Sequence, residues 1–193
     1  PARLAYGIGL RGYKFDRYKS EVKKNSIKKV TFITSHHTTS ESIHKDYVAI
    51  LDGVNLARDL VNEPANILTP LEYTKRINEL ASKNLKVKIL NQKKMEQLSM
   101  GALLGVAKGS RNEPYIAILE YLPNKNQKPL VVLGKGVTFD SGGVSIKPSG
   151  GMDEMKGDMA GSASVIGLME ALSKRKASAN VVGIVGLVEN MTD

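Results

Sequence analysis

The chain of 193 residues contains no cysteine. That excludes disulfides and thiolate metal sites, and it fits a reducing compartment such as the cytoplasm. Long apolar runs are missing too. No stretch approaches the roughly 18 residues needed to cross a bilayer, and the first residues, PARLAYGIG, carry no signal-peptide cleavage pattern, so no membrane partner is expected. Histidine is scarce: His36, His37 and His44 cluster without HExxH spacing, which marks a polar loop rather than a ligand set. Nucleotide signatures are lacking as well, since GKGVTF has no third glycine of a dinucleotide fingerprint and GxxxxGK[ST] does not occur.

What is present is a hydrophobic content of 41%, enough for one sizeable core and the remnant of another. The net charge of +9 is unevenly placed. Nine basic residues up to Lys29 (Arg3, Arg11, Lys14, Arg17, Lys19, Lys23, Lys24, Lys28, Lys29) face only Asp16 and Glu21, a balance of +7 that leaves +2 for the remainder. With Tyr13, Phe15 and Tyr18 interleaved, this segment is a candidate contact for nucleic acid or an acidic partner; a solvated face and linker is the plainer reading. Both ends read as cut. A helical pattern begins at once (Leu4, Ile8, Arg11), and ENMTD follows a strand with nothing to cap the sheet, so the chain is expected to be an internal fragment.

Between the ends, strand and helix signals alternate, which predicts an α/β fold with a mixed, mainly parallel sheet flanked by helices. Residues 30–34 (VTFIT) read as a short strand and 36–42 as polar loop. Apolar residues at Ile43, Tyr47, Ile50, Val54, Ala57 and Val61 mark one face of a long helix ended by Pro64. Thr69, Pro70 and Glu72 form a capping box that opens a second helix, with Ile77 and Leu80 inward. A strand at residues 86–90 follows, then a short helix capped by Asn91, then a turn-rich segment punctuated by Gly101, Gly105 and Gly109. YIAILEY (115–121), LVVLG (130–134) and NVVGIVGLV (180–188) read as strands, the last two apolar enough to be interior. A helix over 158–174 opens with the small residues Ala160, Gly161, Ser162 and Ala163, and joins the last two strands as a βαβ unit.

Chemistry concentrates in GKGVTFDSGG (134–143), Lys147 of GVSIKP and Asp158 of MDEMKGDM. Glycines strip the loop of shielding bulk, carboxylates sit at a strand end and a helix start, and two lysines lie nearby. Each has a plain alternative. Asp140 could stabilise a turn, Asp158 could cap a helix and Lys135 could be an exposed charge. Together, within 24 residues of sequence, they read as a metal site. Asp153 and Glu154 read as exposed helix-start charge, and Met152, Met159 and Met191 as packing.

The run GKGVTFDSGGVSIKPSGGMDEMKGDMAG, with NLARDLVNEPAN before it and VVGIVGLVENM after it, resembles the leucine aminopeptidase (cytosol aminopeptidase) family over nearly the whole chain. Members of that family are two-metal exopeptidases, usually with zinc or manganese, that remove N-terminal residues such as leucine and assemble as homohexamers. By position, the resemblance implies Lys135, Asp140 and Asp158 as metal ligands, with Asp140 bridging both ions. It further implies Lys147 as the group that polarises the peptide carbonyl and Met155 as part of the pocket for the substrate's first side chain. Oxygen and amine donors suit zinc, manganese and magnesium alike. The family's NTDAEGR motif, with its further ligands and arginine, does not occur before Asp193, so the isolated chain is expected to be inactive. The implied organisation is residues 1–40 as the tail of an N-terminal α/β domain, 41–63 as a connecting helix and 64–193 as the first part of the catalytic domain. Nucleic-acid binding and a noncatalytic structural subunit of a hexamer remain as alternatives.

Overall fold

A computed structural model describes residues 1–22 and 27–192, so Lys23 and Lys24 of the basic segment and the terminal Asp193 lie outside the described residues. Two helices open the chain, α1 (Ala2–Gly12) and α2 (His37–Asn62). They pack together through Tyr6 stacked on Tyr47, with ring centroids 4.9 Å apart. Helix α2 starts inside the stretch expected to be polar loop, and His37 and His44 lie on it. Its first turns are mostly solvent-exposed, so no apolar periodicity marks them. Its end is where the sequence puts it: Glu63 turns extended (ψ 138°) because the residue before a proline is pushed out of the helical region.

Helix α3 (Pro70–Asn78) is capped as predicted, the Thr69 hydroxyl accepting from the Glu72 amide at 3.3 Å, and it buries Tyr73 and Ile77 completely. Strand β1 (Lys86–Leu90), helix α4 (Gln92–Gln97) with its Asn91 cap, and strand β2 (Tyr115–Tyr121) also form where expected. The glycine-punctuated segment does not stay irregular. Helix α5 (Gly101–Ala107) forms there because Leu103 and Leu104 pack against Met95 and Ile116, and burial outweighs the propensity cost of glycine. Residues 30–34 are not a strand; they have no ladder partner among the described residues, and Ile33 is 99% exposed.

Strand β3 (Leu130–Asp140) runs past the predicted LVVLG to Asp140, a 3₁₀ turn (Met152–Gly157) precedes helix α6 (Ala160–Lys174), and β4 (Val181–Asn190) ends the fold. The four strands lie in the order β1-β2-β4-β3. The sheet is mixed and helix-flanked as expected, and β3–α6–β4 is a parallel βαβ unit. The expected majority of parallel pairings is corrected, because β1/β2 and β2/β4 are antiparallel. Parallel pairing needs a crossover of about a dozen residues or more. The link over residues 122–129 has no helix to carry one, so β3 and its parallel partner β4 run against β2. Strand β3 is also an edge of this sheet rather than interior, with Leu130, Val131 and Leu133 exposed.

Side chains alternate across the sheet. Ala117, Leu119, Tyr121, Val181, Val185 and Leu187 meet Tyr73 and Ile77 of α3 and Ala163, Ile166 and Met169 of α6 on one face. Ile116, Ile118 and Ile184 meet α4 and α5 on the other. Met159 joins the first cluster fully buried, as its packing role requires. Each such fully buried aliphatic side chain contributes about 1.5–3 kcal/mol of transfer free energy. Helices α2 and α6 cross at Gly53 and Gly167, where no side chain would fit: a Cβ on Gly53 would stand 2.2 Å from the Gly167 carbonyl oxygen.

Candidate functional site

Every side chain predicted to carry chemistry lies between the middle of β3 and the start of α6. Lys135 is within β3, opposite Gly186 of β4, rather than at the strand end; Asp140 is the last residue of β3, opposite Asn190. The chain then turns through Gly142 (φ +93°) and Gly143 (φ +67°), a left-handed pair that only glycine adopts without strain. The Lys147 amide closes this loop on the Ser141 carbonyl at 2.9 Å. Closure brings the Lys147 ammonium to 2.9 Å from Asp140 Oδ2 and 3.1 Å from the Met155 sulfur.

The small residues at the start of α6 explain how the second carboxylate arrives. A Cβ on Gly134 would lie 2.6 Å from Ser162 Cα, so α6 rests directly on the β3 backbone. Ser162 itself is fully buried, donating to the Met159 carbonyl and bonded to the Tyr73 hydroxyl at 3.0 Å. Asp158 precedes α6, yet it does not serve as its cap; no side chain caps that helix. Its carboxylate instead meets the Lys135 ammonium at 2.5 Å.

Asp140 is the best-held group of the cluster. Burial raises its pKa, but donors from Lys147, Asn190 and the Gly142 amide, together with Asp158, outweigh that and hold it well below the ordinary carboxylate range. Asn190 Nδ2 and the Gly142 amide donate to Oδ1 at 2.7 and 3.1 Å, while Oδ2 faces Lys147. Asp158 is near enough to act on that titration, so the two carboxylates are neighbours. Each is matched by one ammonium, and the Lys135 side is open to solvent, the lysine side chain being 58% exposed. Two carboxylates and an amine gathered between the middle of β3 and the start of α6 form a donor set that fits a divalent cation.

Other candidates stay apart from this cluster. Asp153 and Glu154 are exposed in the 3₁₀ turn, as expected. His36, His37 and His44 lie at the start of α2, and among the described residues no group of three or more His, Cys, Asp or Glu forms. The basic segment is partly committed: Arg17 and Tyr18 both bind the buried carboxylate of Glu63, and Lys19 pairs with Asp16 at 2.5 Å. Among the described residues no helix is long and apolar enough to cross a membrane. Sequence reasoning missed Asn190 and Glu63. Asn190 carries a signal only in hindsight, a polar residue ending an otherwise apolar strand.

Residues 55–193 match the model of the cytosol aminopeptidase family, catalytic domain. Over 97% of its length the chain is 49% identical to a probable cytosol aminopeptidase of Phytoplasma australiense, and over its whole length it is 50% identical to that of Rhizobium etli. It spans 38% and 40% of those two proteins. Among solved structures it is similar to the bottromycin maturation enzyme BotP in complex with Mn, at 35% identity and a TM-score of 0.86. The cytosol aminopeptidase from Coxiella burnetii follows at 28% and 0.83. Both cover all of this chain, which spans 40% of each.

Proposed function

The chain belongs to the cytosol aminopeptidase family, and we propose that it supplies part of a two-metal centre at which the natural protein hydrolyses the N-terminal residue, leucine-like, from peptides. The observation that carries this reading is the convergence of Lys135, Asp140 and Asp158 beside Lys147. Lys135, Asp140 and Asp158 would hold the ions, with Asp140 shared between them. A bound pair of zinc, manganese or magnesium ions supplies an activated water and positive charge for the developing oxyanion. For Lys135 to be a ligand it must bind as the neutral amine, and nearby cations favour that form. Its proton would pass to solvent and its ion pair with Asp158 would open.

Lys147 has a different part. Its ammonium bonds Asp140 Oδ2, the oxygen that the Gly142 amide leaves open, and from there it would donate to the carbonyl oxygen of the scissile bond. Met155, already in contact with that ammonium, lines the space beside it and gives an apolar wall for the substrate's first side chain. The chain spans about two fifths of its curated relatives, so turnover is assigned to the natural protein that carries it. A cytoplasmic homohexamer is the proposed setting, on the family resemblance.

The test is leucine release from a chromogenic leucine amide by that protein. Chelation should abolish it, and added manganese or zinc should restore it. Turnover indifferent to both treatments overturns the reading.

A further inference from the structure

We infer that Asn190 is the positioning residue that fixes the Asp140 carboxylate and thereby sets the affinity of the site for its divalent cation. The inference rests on the metal reading of Asp140 proposed above. Three hydrogen bonds and one packing contact join Asn190 to the glycine loop. Its side-chain amide donates to Asp140 Oδ1 at 2.7 Å. Its backbone carbonyl accepts from the Ser141 amide at 3.0 Å and from the Ser141 hydroxyl at 2.8 Å. Its amide oxygen fills the space that a side chain at position 143 would take, since a Cβ on Gly143 would lie 2.6 Å from it. One residue therefore holds the carboxylate, the backbone after it and the turn that follows.

Asn190 is itself firmly placed. It pairs with Asp140 across the parallel β3/β4 ladder, after a register shift that follows Val137. The adjacent Glu189 accepts from Ser110 at 2.5 Å and Asn112 at 2.8 Å, and the loop bearing them packs so closely that a Cβ on Gly109 would stand 2.2 Å from the Met191 carbonyl oxygen. With Oδ1 held by Asn190 and the Gly142 amide, the carboxylate plane is set and Oδ2 faces Lys147. Without the Asn190 amide the carboxylate keeps one donor on that side and can rotate away. Groups that orient a ligating carboxylate in this way typically change metal affinity by about 10–100-fold when removed.

The test measures Mn(II) binding to the natural protein by equilibrium dialysis, beside circular dichroism and the thermal midpoint of the metal-free form. Asn190→Ala should weaken binding at least tenfold with the fold intact, and Asn190→Ser reads the same quantity if the alanine variant does not fold. Ser141→Ala removes a bond to the same carbonyl without touching the carboxylate, and should leave binding within about threefold. Binding by both Asn190 variants within twofold of wild type overturns the inference. So does equal weakening by Ser141→Ala, which would mark general loosening of the loop. A wild-type protein that takes up no Mn(II) instead overturns the metal reading, and the inference along with it.

Discussion

Lys135 Nζ stands 2.5 Å from Asp158 Oδ2, joining the middle of β3 to the turn two residues before α6. The lysine side chain is 58% exposed, so the pair contributes less than about 1 kcal/mol to folding. Under the proposed function its value is chemical. Lys135→Ala should shift the urea midpoint of the metal-free protein only slightly, while metal-dependent leucine release falls at least 100-fold. Equal losses in stability and turnover would make Lys135 a structural residue instead.

Gly53 and Gly167 predict a stability effect far from the site. A methyl at position 53 would press on the Gly167 carbonyl oxygen, so Gly53→Ala should separate α2 from α6 and cost about 1–3 kcal/mol in urea unfolding. Gly105 of α5 has nothing within 4 Å of an added Cβ, and Gly105→Ala should add about 0.5–1 kcal/mol. If the two substitutions have the same sign, the close helix crossing is wrong.

Glu63 gives the pH dependence. Burial alone raises its pKa; bonds from Tyr18 and Arg76 and the charges of Arg76 and Arg17 lower it below the ordinary value. A carboxyl whose folded pKa is depressed stabilises fully above its unfolded pKa, about 4.3, and loses that contribution as the pH falls through the folded value. Glu63→Gln should therefore destabilise by about 2 kcal/mol near pH 7, a figure reduced because Arg17 is half-exposed. The gap from wild type should narrow below pH 4. A gap that stays constant from pH 7 to pH 3 contradicts this role.

Much of this was legible in the sequence because it is local. Thr69 and Asn91 cap their helices through bonds spanning three residues, and Pro64 ends α2 through its immediate neighbour. Lys135, Asp140, Lys147 and Asp158 stand close in sequence around glycines, so the loop that gathers them is visible as composition. Strand direction was not, because it depends on how residues 122–129 connect β2 to β3 across the inserted β4. Helix α5 was hidden by its glycines, since tertiary packing of Leu103 and Leu104 outweighs local propensity. Asn190 was hidden for a third reason. It meets Asp140 only through a ladder between residues 50 apart in sequence, a register that no short pattern encodes.

The most direct measurement is anomalous diffraction from crystals of the natural protein soaked in Mn(II). Two peaks about 3.5–4 Å apart, within coordination distance of Lys135, Asp140 and Asp158, are the expected result. Strong peaks elsewhere with none at this cluster, or Lys135 still paired with Asp158 beside the bound ions, would contradict it.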